Sequence, residues 1–256
     1  MNLGFIGTGE ITKSVVLGIL KSKIKYKKIY LSKRNTKISS YLKSKSKKII
    51  VLSSNQDIIN NSKLIFLSIR PEVGKKIIKD LKFKKSHIVI SFISTIKMSE
   101  LKNKIGKQNK IVRAIPLPPI SLGVGPVPIF PKNKIVKNFF DKIGKTIEIS
   151  NEELSLNFWT MSSMMAPYYE MLNHFSNWLN KKGLNKNKAE DYVTSLFLGL
   201  SENASQNRYK NLKELVKKSQ TPKGLNEQAL RELKSMNFYK KLNNSSNNIL
   251  KRLKKK

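Results

Sequence analysis

Leu3-Gly4-Phe5-Ile6-Gly7-Thr8-Gly9-Glu10-Ile11 is the stretch on which the reading of this chain turns. A short apolar run meets a Gly-Thr-Gly step, and from Ile11 to Ser22 the apolar residues Ile11, Val15, Val16, Ile19 and Leu20 share one helical face. Strand, glycine turn and helix in that order set unpaired helix amides and the positive end of the helix dipole above a strand end, where a phosphate binds. Gly7 permits the tight turn and Gly9 lets a pyrophosphate approach the backbone, so Gly7, Thr8, Gly9, Glu10 and Ile11 are expected to hold it. Thr12 occupies the third small position of the fingerprint. A purely structural glycine turn is the competing reading.

Working outward, the first 150 residues alternate short apolar runs with amphipathic stretches. Strands are expected at Leu3 to Ile6, Lys28 to Leu31, Lys48 to Leu52, Leu64 to Leu67, Ile88 to Ser91, Ile111 to Ala114, Val127 to Phe130 and Thr146 to Ile149. Short loops join them, the pattern of a parallel sheet covered by helices. Beyond Ile149 that alternation stops, and three long helical patterns follow: Trp159 to Lys182, Lys186 to Tyr209 and Glu227 to Leu253. The fold class is α/β: an N-terminal Rossmann-type doubly wound sheet over 1–150, then an all-helical domain over 151–256. The Met and aromatic residues of the first helical pattern (Trp159, Met161, Met164, Met165, Tyr168, Tyr169, Met171, Phe175, Trp178) suit either an ordinary core or an interface and site lining.

The end of the second strand chooses between the nicotinamide nucleotides. An NAD site places Asp or Glu there for the ribose hydroxyls, whereas this chain reads Leu31-Ser32-Lys33-Arg34-Asn35. Ser32, Arg34 and Asn35, with no carboxylate among them, suit a 2′-phosphate, and NADP(H) is expected in preference to NAD(H). Arg34 is the informative cation, because only six residues of the chain are arginine while 45 are lysine.

Composition bounds the rest. The net charge of +35 suggests a polyanion partner, but Lys, Ile, Asn and Ser rise together as an A+T-rich codon supply would raise them. The lysines are spread along the chain without interleaved Arg and aromatics, so specific nucleic-acid binding is not expected. The absence of cysteine excludes disulfides and cysteine nucleophiles, and with two histidines no metal site is expected. No apolar run reaches the ~18 residues needed to span a bilayer, and the opening residues lack the form of a secretory leader. A cytoplasmic protein is expected. His87, between lysines and a strand, reads as surface; His174, four residues after Glu170, reads as partly buried and satisfied by it.

These residues resemble the pyrroline-5-carboxylate reductases. Gly4-Phe5-Ile6-Gly7-Thr8-Gly9 is similar to that family's opening, Leu67-Ser68-Ile69-Arg70-Pro71 to its "VKP" segment, and Val112-Arg113-Ala114-Ile115-Pro116 to its "VRxMP" strand end. Ala166-Pro167-Tyr168-Tyr169 resembles the end of "SGSGPAY", and Thr221-Pro222-Lys223-Gly224-Leu225-Asn226, followed by Ala229-Leu230 and Asn237-Phe238, resembles "SPGGTT…AL…GF". Departures fall at the substrate end, where Leu117, Met164, Met165 and Asn226 stand for smaller or different residues.

The resemblance implies NADPH-dependent reduction of a cyclic imine, pyrroline-5-carboxylate to proline, by a homodimer interlocked through its last helices. It implies Ile69, Arg70, Pro71 and Ser94 beside the nicotinamide, Thr221 and Asn226 as catalytic, and Gly224, Leu225, Tyr169 and Met165 as substrate-binding. Hydride chemistry carried by a cofactor asks little of side chains, and no Ser-His-Asp, HExxH or paired-carboxylate motif is present. The Thr221–Asn226 loop offers donors for a carboxylate: the Thr221 hydroxyl and the amides of Gly224 and Leu225. Thr221 or Asn226 capping a helix that begins near Glu227 is the plain alternative. Arg113, inside a strand, reads as the partner of an acid, Pro71 and Pro116 as loop punctuation or pocket wall, and Ser94-Thr95 as a strand-end cap or a carboxamide contact. A reductase of another imine or 2-oxo acid derivative, or a non-catalytic nucleotide-binding protein, are the rival readings.

Overall fold

The computed structural model describes residues 1–207 and 211–255. The expected helix end at Tyr209 and the C-terminal Lys256 lie outside them. Two compact units divide the chain, one of Met1–Trp159 with the C-terminal residues from Leu253 onward, the other of Thr160–Arg252.

In the first unit the elements run β1 (Leu3–Ile6), α1 (Glu10–Lys21), β2 (Ile29–Ser32), α2 (Thr36–Lys45), β3 (Ile49–Leu52), α3 (Asn55–Asn60), β4 (Leu64–Leu67), α4 (Pro71–Ile77), β5 (Ile88–Ser91), α5 (Met98–Ile105), β6 (Lys110–Ala114), β7 (Pro126–Phe130), α6 (Lys134–Phe140), β8 (Lys145–Glu148) and α7 (Leu154–Ser162). One eight-stranded sheet has the order β3-β2-β1-β4-β5-β6-β7-β8. All eight expected strands are present, each within a residue or so of its reading. The sheet is not wholly parallel, which corrects the expectation: β7 is antiparallel to β6, pairing Arg113 with Phe130 and Ala114 with Ile129, and β8 follows β7. The β6–β7 connection holds only a 3-10 turn, Pro118–Leu122, and a parallel return requires a longer crossover.

Alternation along the strands fills a core on each face. Leu3, Phe5, Leu64, Phe66 and Ile90 pack with Val15, Val16 and Ile19 of α1 and with Phe139 and Phe140 of α6. Ile6, Ile65, Leu67 and Val89 pack on the other face with Ile58, Ile59 and Leu101. Phe5 stacks on Phe66 at 4.3 Å between centroids, and Phe66 meets Phe139 at 5.4 Å. Each such side chain contributes about 1.5–3 kcal/mol by leaving water.

His87 corrects the surface reading, since it is only 4% exposed. Its Nδ1 accepts the Lys84 amide at 3.1 Å, and the Lys84 carbonyl accepts Asn109 Nδ2 at 2.6 Å. Burial, and then the charge of Lys84, push its pKa below the ordinary 6.5. Below that pH the unfolded chain takes up a proton that the folded one refuses, so this residue's stabilisation is present above about pH 6.5 and is lost as pH falls. A His87→Gln variant is therefore expected to lose less of its thermal midpoint between about pH 7 and 5 than the parent, as read by calorimetry; equal slopes would remove His87 from the acid response.

In the second unit the long patterns break into α8 (Met165–Lys181), α9 (Lys186–Gln206), α10 (Leu212–Lys218), α11 (Leu225–Ser235) and α12 (Phe238–Lys254). The expected Trp159–Lys182 helix is interrupted before Met165, and Glu227–Leu253 is interrupted at Asn237, whose φ is +57°. Phe197 of α9 packs on Phe175 and Tyr168 of α8 at 5.9 and 6.3 Å. Few residues are buried here; Trp178, Tyr192, Leu198 and Leu225 are between 55% and 84% exposed in the single chain. Among the described residues, no helix is long and apolar enough to cross a membrane.

Candidate functional site

The glycine turn is built as the first strand reading requires. Gly7 has φ +97°, and a Cβ there would stand 2.2 Å from the Ser68 carbonyl oxygen. Thr12, fully buried, donates its hydroxyl to the Gly7 carbonyl at 2.7 Å, so the third fingerprint position works by a hydrogen bond rather than by smallness. The Gly7 amide donates to Ser32 Oγ at 3.0 Å, and Thr8 Oγ1 donates to the Ser32 carbonyl at 2.7 Å. Gly9 is the N-cap of α1 with no side-chain cap, and a Cβ on it would meet nothing within 4 Å. First-turn amides at Glu10 and Ile11 thus face open space at a positive helix end, with Glu10 drawn to Lys13 at 3.3 Å.

A cleft runs from this turn across the C-terminal edge of the sheet. Two adjoining cavities of about 410 and 480 Å³ share Gly7, Arg34, Thr36 and Ile69. Arg34, Asn35, Thr36 and Lys37 form one wall; Ser68, Ile69, Arg70 and Val73 form another. Arg70 is the N-cap and Pro71 the first residue of α4, so Pro71 starts a helix.

Two of the expected cofactor residues also serve local structure. Ser32 lines the cavity but is only 5% exposed, and its hydroxyl is engaged by the Gly7 amide and by the Thr8 hydroxyl, so it holds the turn in shape. Asn35 Oδ1 caps α2 by accepting the Ile38 amide at 3.2 Å, leaving its amino group and Arg34 to face the cleft. Thr36 and Lys37, in the first turn of α2, line the same cavity and were not among the expected residues. The donor set fits a dinucleotide: open backbone amides, a glycine without a side chain, and two cations, Arg34 and Lys37, on one wall.

Next along the edge is the turn after β5. Phe92 donates its amide to the Leu67 carbonyl at 3.0 Å, which sets this turn beside Ser68–Arg70. Arg113 of β6, 5% exposed, pairs through Nη1 with Glu152 and donates Nη2 to the Ser94 carbonyl at 2.6 Å. Glu152 also accepts the Met98 amide at 2.7 Å. Burial lowers the Arg113 pKa, and the charge and hydrogen bond of Glu152 oppose that shift. Ser94 is thus held by its backbone carbonyl.

In the second unit the Thr221–Asn226 loop takes another form than either capping reading. α11 begins at Leu225, with Gly224 as N-cap and no side-chain cap. The Gly224 amide donates to the Thr221 carbonyl at 2.8 Å and is not a free donor; Asn226 Nδ2 donates to the Ser219 carbonyl at 2.8 Å. Lys223 has φ +61° and donates its amide to Glu227 at 2.5 Å, a left-handed residue where the resembling pattern reads glycine. The Leu225 amide, in the first turn, remains a donor toward an anion. Met165 opens α8, and Tyr169 is 52% exposed on it. His174 is exposed, not half-buried, and Glu170 accepts Asn173 Nδ2 at 3.4 Å instead. Helical spacing put the two side chains in reach but did not determine which neighbour won.

Comparison with known proteins then divides along the same units. Residues 2–95 match the family "NADP oxidoreductase coenzyme F420-dependent", and residues 153–256 match "Pyrroline-5-carboxylate reductase dimerisation". The chain is 27% identical over 125 residues to pyrroline-5-carboxylate reductase 3 of Danio rerio, a match covering 48% of this chain and 43% of that protein. The first curated relatives are thus matched over less than half their length. In fold, the structure of a Streptococcus pyogenes 1-pyrroline-5-carboxylate reductase is similar with a TM-score of 0.85 at 20% identity, covering 100% of this chain and 99% of that one. A Plasmodium falciparum pyrroline carboxylate reductase with NADP bound gives 0.81 at 20% identity, covering 99% and 97%. Residues 153–256 thus match the pyrroline-5-carboxylate reductase dimerisation family, and the order of the two halves is that of the pyrroline-5-carboxylate reductases the chain resembles.

Proposed function

We propose that this chain is an NADPH-dependent reductase that converts pyrroline-5-carboxylate to proline, acting in the cytoplasm as a homodimer. The observation that carries the reading is the uncapped α1 N-terminus over the Gly7–Gly9 turn with Arg34 beside it, in a chain whose second half matches the reductase dimerisation family. Bound in this cleft, the nicotinamide nucleotide supplies the hydride. Residues 1–150 form the nucleotide domain, in which Gly7, Thr8, Gly9 and the amides of Glu10 and Ile11 hold the pyrophosphate. Arg34, helped by Thr36, Lys37 and the Asn35 amino group, faces the 2′-phosphate and selects NADP(H) over NAD(H). Ile69, Arg70, Pro71 and the Ser94 segment shape the nicotinamide end.

Residues 151–256 form the substrate and dimerisation domain, whose exposed Trp178, Tyr192 and Leu198 are of the kind a second copy covers. Thr221 and the Leu225 amide bind the substrate carboxylate, Asn226 hydrogen-bonds the imine nitrogen, and Met165 and Tyr169 line the ring. An amide orients that nitrogen but does not deliver a proton at neutral pH, so the proton comes from water or another group. A second reading, reduction of a different imine or 2-oxo acid derivative, is favoured by Asn226 being drawn to Ser219 and by Leu117.

The test is nicotinamide oxidation with pyrroline-5-carboxylate, run beside the six-membered cyclic imine and beside NADH. Turnover with NADPH and the five-membered imine, falling roughly ten- to hundredfold in kcat/KM in Asn226→Ala, is expected. Tight NADPH binding with no such turnover would shift the substrate to the second reading.

A further inference from the structure

We propose that the pair formed by buried Arg113 and half-buried Glu152 is a positioning device for hydride transfer, fixing the Ser94–Met98 segment over which the reactive half of the nucleotide lies. The inference rests on the function proposed above. Glu152 Oε1 serves two donors at once, the Arg113 guanidinium and the Met98 amide. Met98 is the first residue of α5, whose N-cap Lys97 supplies no side-chain bond, so a carboxylate 54 positions away caps that helix. The other arm of the guanidinium holds the Ser94 carbonyl. Both ends of a five-residue turn are thereby tied to one ion pair.

Place matters as much as bonding. The strand order reverses between β1 and β4, and in such sheets a dinucleotide crosses the crevice at that point with its second half over the next strand ends. Those ends are β4 and β5, and the Leu67–Ser91 register puts the Ser94 turn beside the cleft wall of Ile69 and Arg70. Burying a guanidinium against a carboxylate is a costly way to gain stability, since apolar residues of equal volume often serve as well or better. Its advantage is directional: a planar fork with one carboxylate fixes a backbone where dispersion contacts would let it slide.

Three variants separate geometry from stability. Arg113→Lys keeps the charge and loses the fork; Glu152→Gln keeps the shape and loses the charge; Arg113→Met with Glu152→Leu removes both ions. In cofactor-free protein, amide exchange of the Thr95–Met98 peptide is expected to quicken about tenfold or more in Arg113→Lys. NADPH affinity, held mainly at the glycine turn, is expected to stay within about threefold, while kcat falls about tenfold with the imine KM little changed. The double variant is expected to recover the parent's melting temperature and not its kcat. A kcat within about twofold of the parent in the folded double variant would reduce the pair to a structural clamp and overturn the proposal. If the parent reduces none of the imines, the functional reading fails by itself, and unchanged Thr95–Met98 exchange in Arg113→Lys would still overturn this one.

Discussion

Gly7→Ala is expected to abolish tight NADPH binding and to lower the folding free energy by about 2–4 kcal/mol. The native φ of +97° disfavours any residue with a Cβ, and that Cβ would stand 2.2 Å from the Ser68 carbonyl oxygen and 2.5 Å from Ile69 Cγ2. The obstacle includes backbone, which no rotamer change relieves. Moving it shifts β1 against β4, takes the Gly7 amide off Ser32 and the Gly7 carbonyl off Thr12, and turns the α1 amides away from the cleft. Gly9→Ala is the control, because its Cβ meets nothing within 4 Å. That variant should keep its stability to within about 0.5 kcal/mol yet lose nucleotide affinity, since the methyl occupies the approach to the helix amides. Urea unfolding and NADPH fluorescence titration of the pair decide the matter. Parent-like binding by Gly7→Ala would show that the turn is not the phosphate site.

Arg34→Glu is expected to reverse the nucleotide preference. A hydrogen bond to a charged group is worth about 1.5–3 kcal/mol, so loss of the guanidinium should weaken NADPH by roughly ten- to hundredfold. The introduced carboxylate repels a 2′-phosphate and can accept from the ribose hydroxyls, so NADH should bind as well as before or better. Paired titrations with the two nucleotides read this directly. In the parent the NADPH advantage should shrink with added salt, because Arg34 and Lys37 are exposed and screened. Equal affinities for both nucleotides in the parent would remove Arg34 from the selection of cofactor.

The strands and the glycine turn were legible because each is a local pattern. An apolar run followed by Gly7-Thr8-Gly9 and a helical face needs no knowledge of distant residues, and β1 and β4 fall on their expected bounds. Arg34 stood out for being rare among lysines. Ser32 illustrates the opposite case: the residue type says only that a hydroxyl is present, and only the packed turn shows that it meets the Gly7 amide and the Thr8 hydroxyl. His87 sat among lysines that look like surface, yet the chain folds back so that the ring receives the Lys84 amide.

The amino-acid sequence by itself determined the order of elements, the switch from sheet to helices near residue 150 and the glycine turn, since period, propensity and glycine chemistry act over a few residues. Tertiary structure alone decided the rest. It reversed β7 because the preceding connection is too short to cross the sheet, and it broke the long helical patterns near Met164 and Asn237. It also selected Glu152, 39 positions from Arg113, as the carboxylate that neutralises a buried guanidinium and caps α5. Those outcomes depend on which groups meet after the chain has closed, and a buried charge or an unpaired amide takes whichever partner the fold brings within reach.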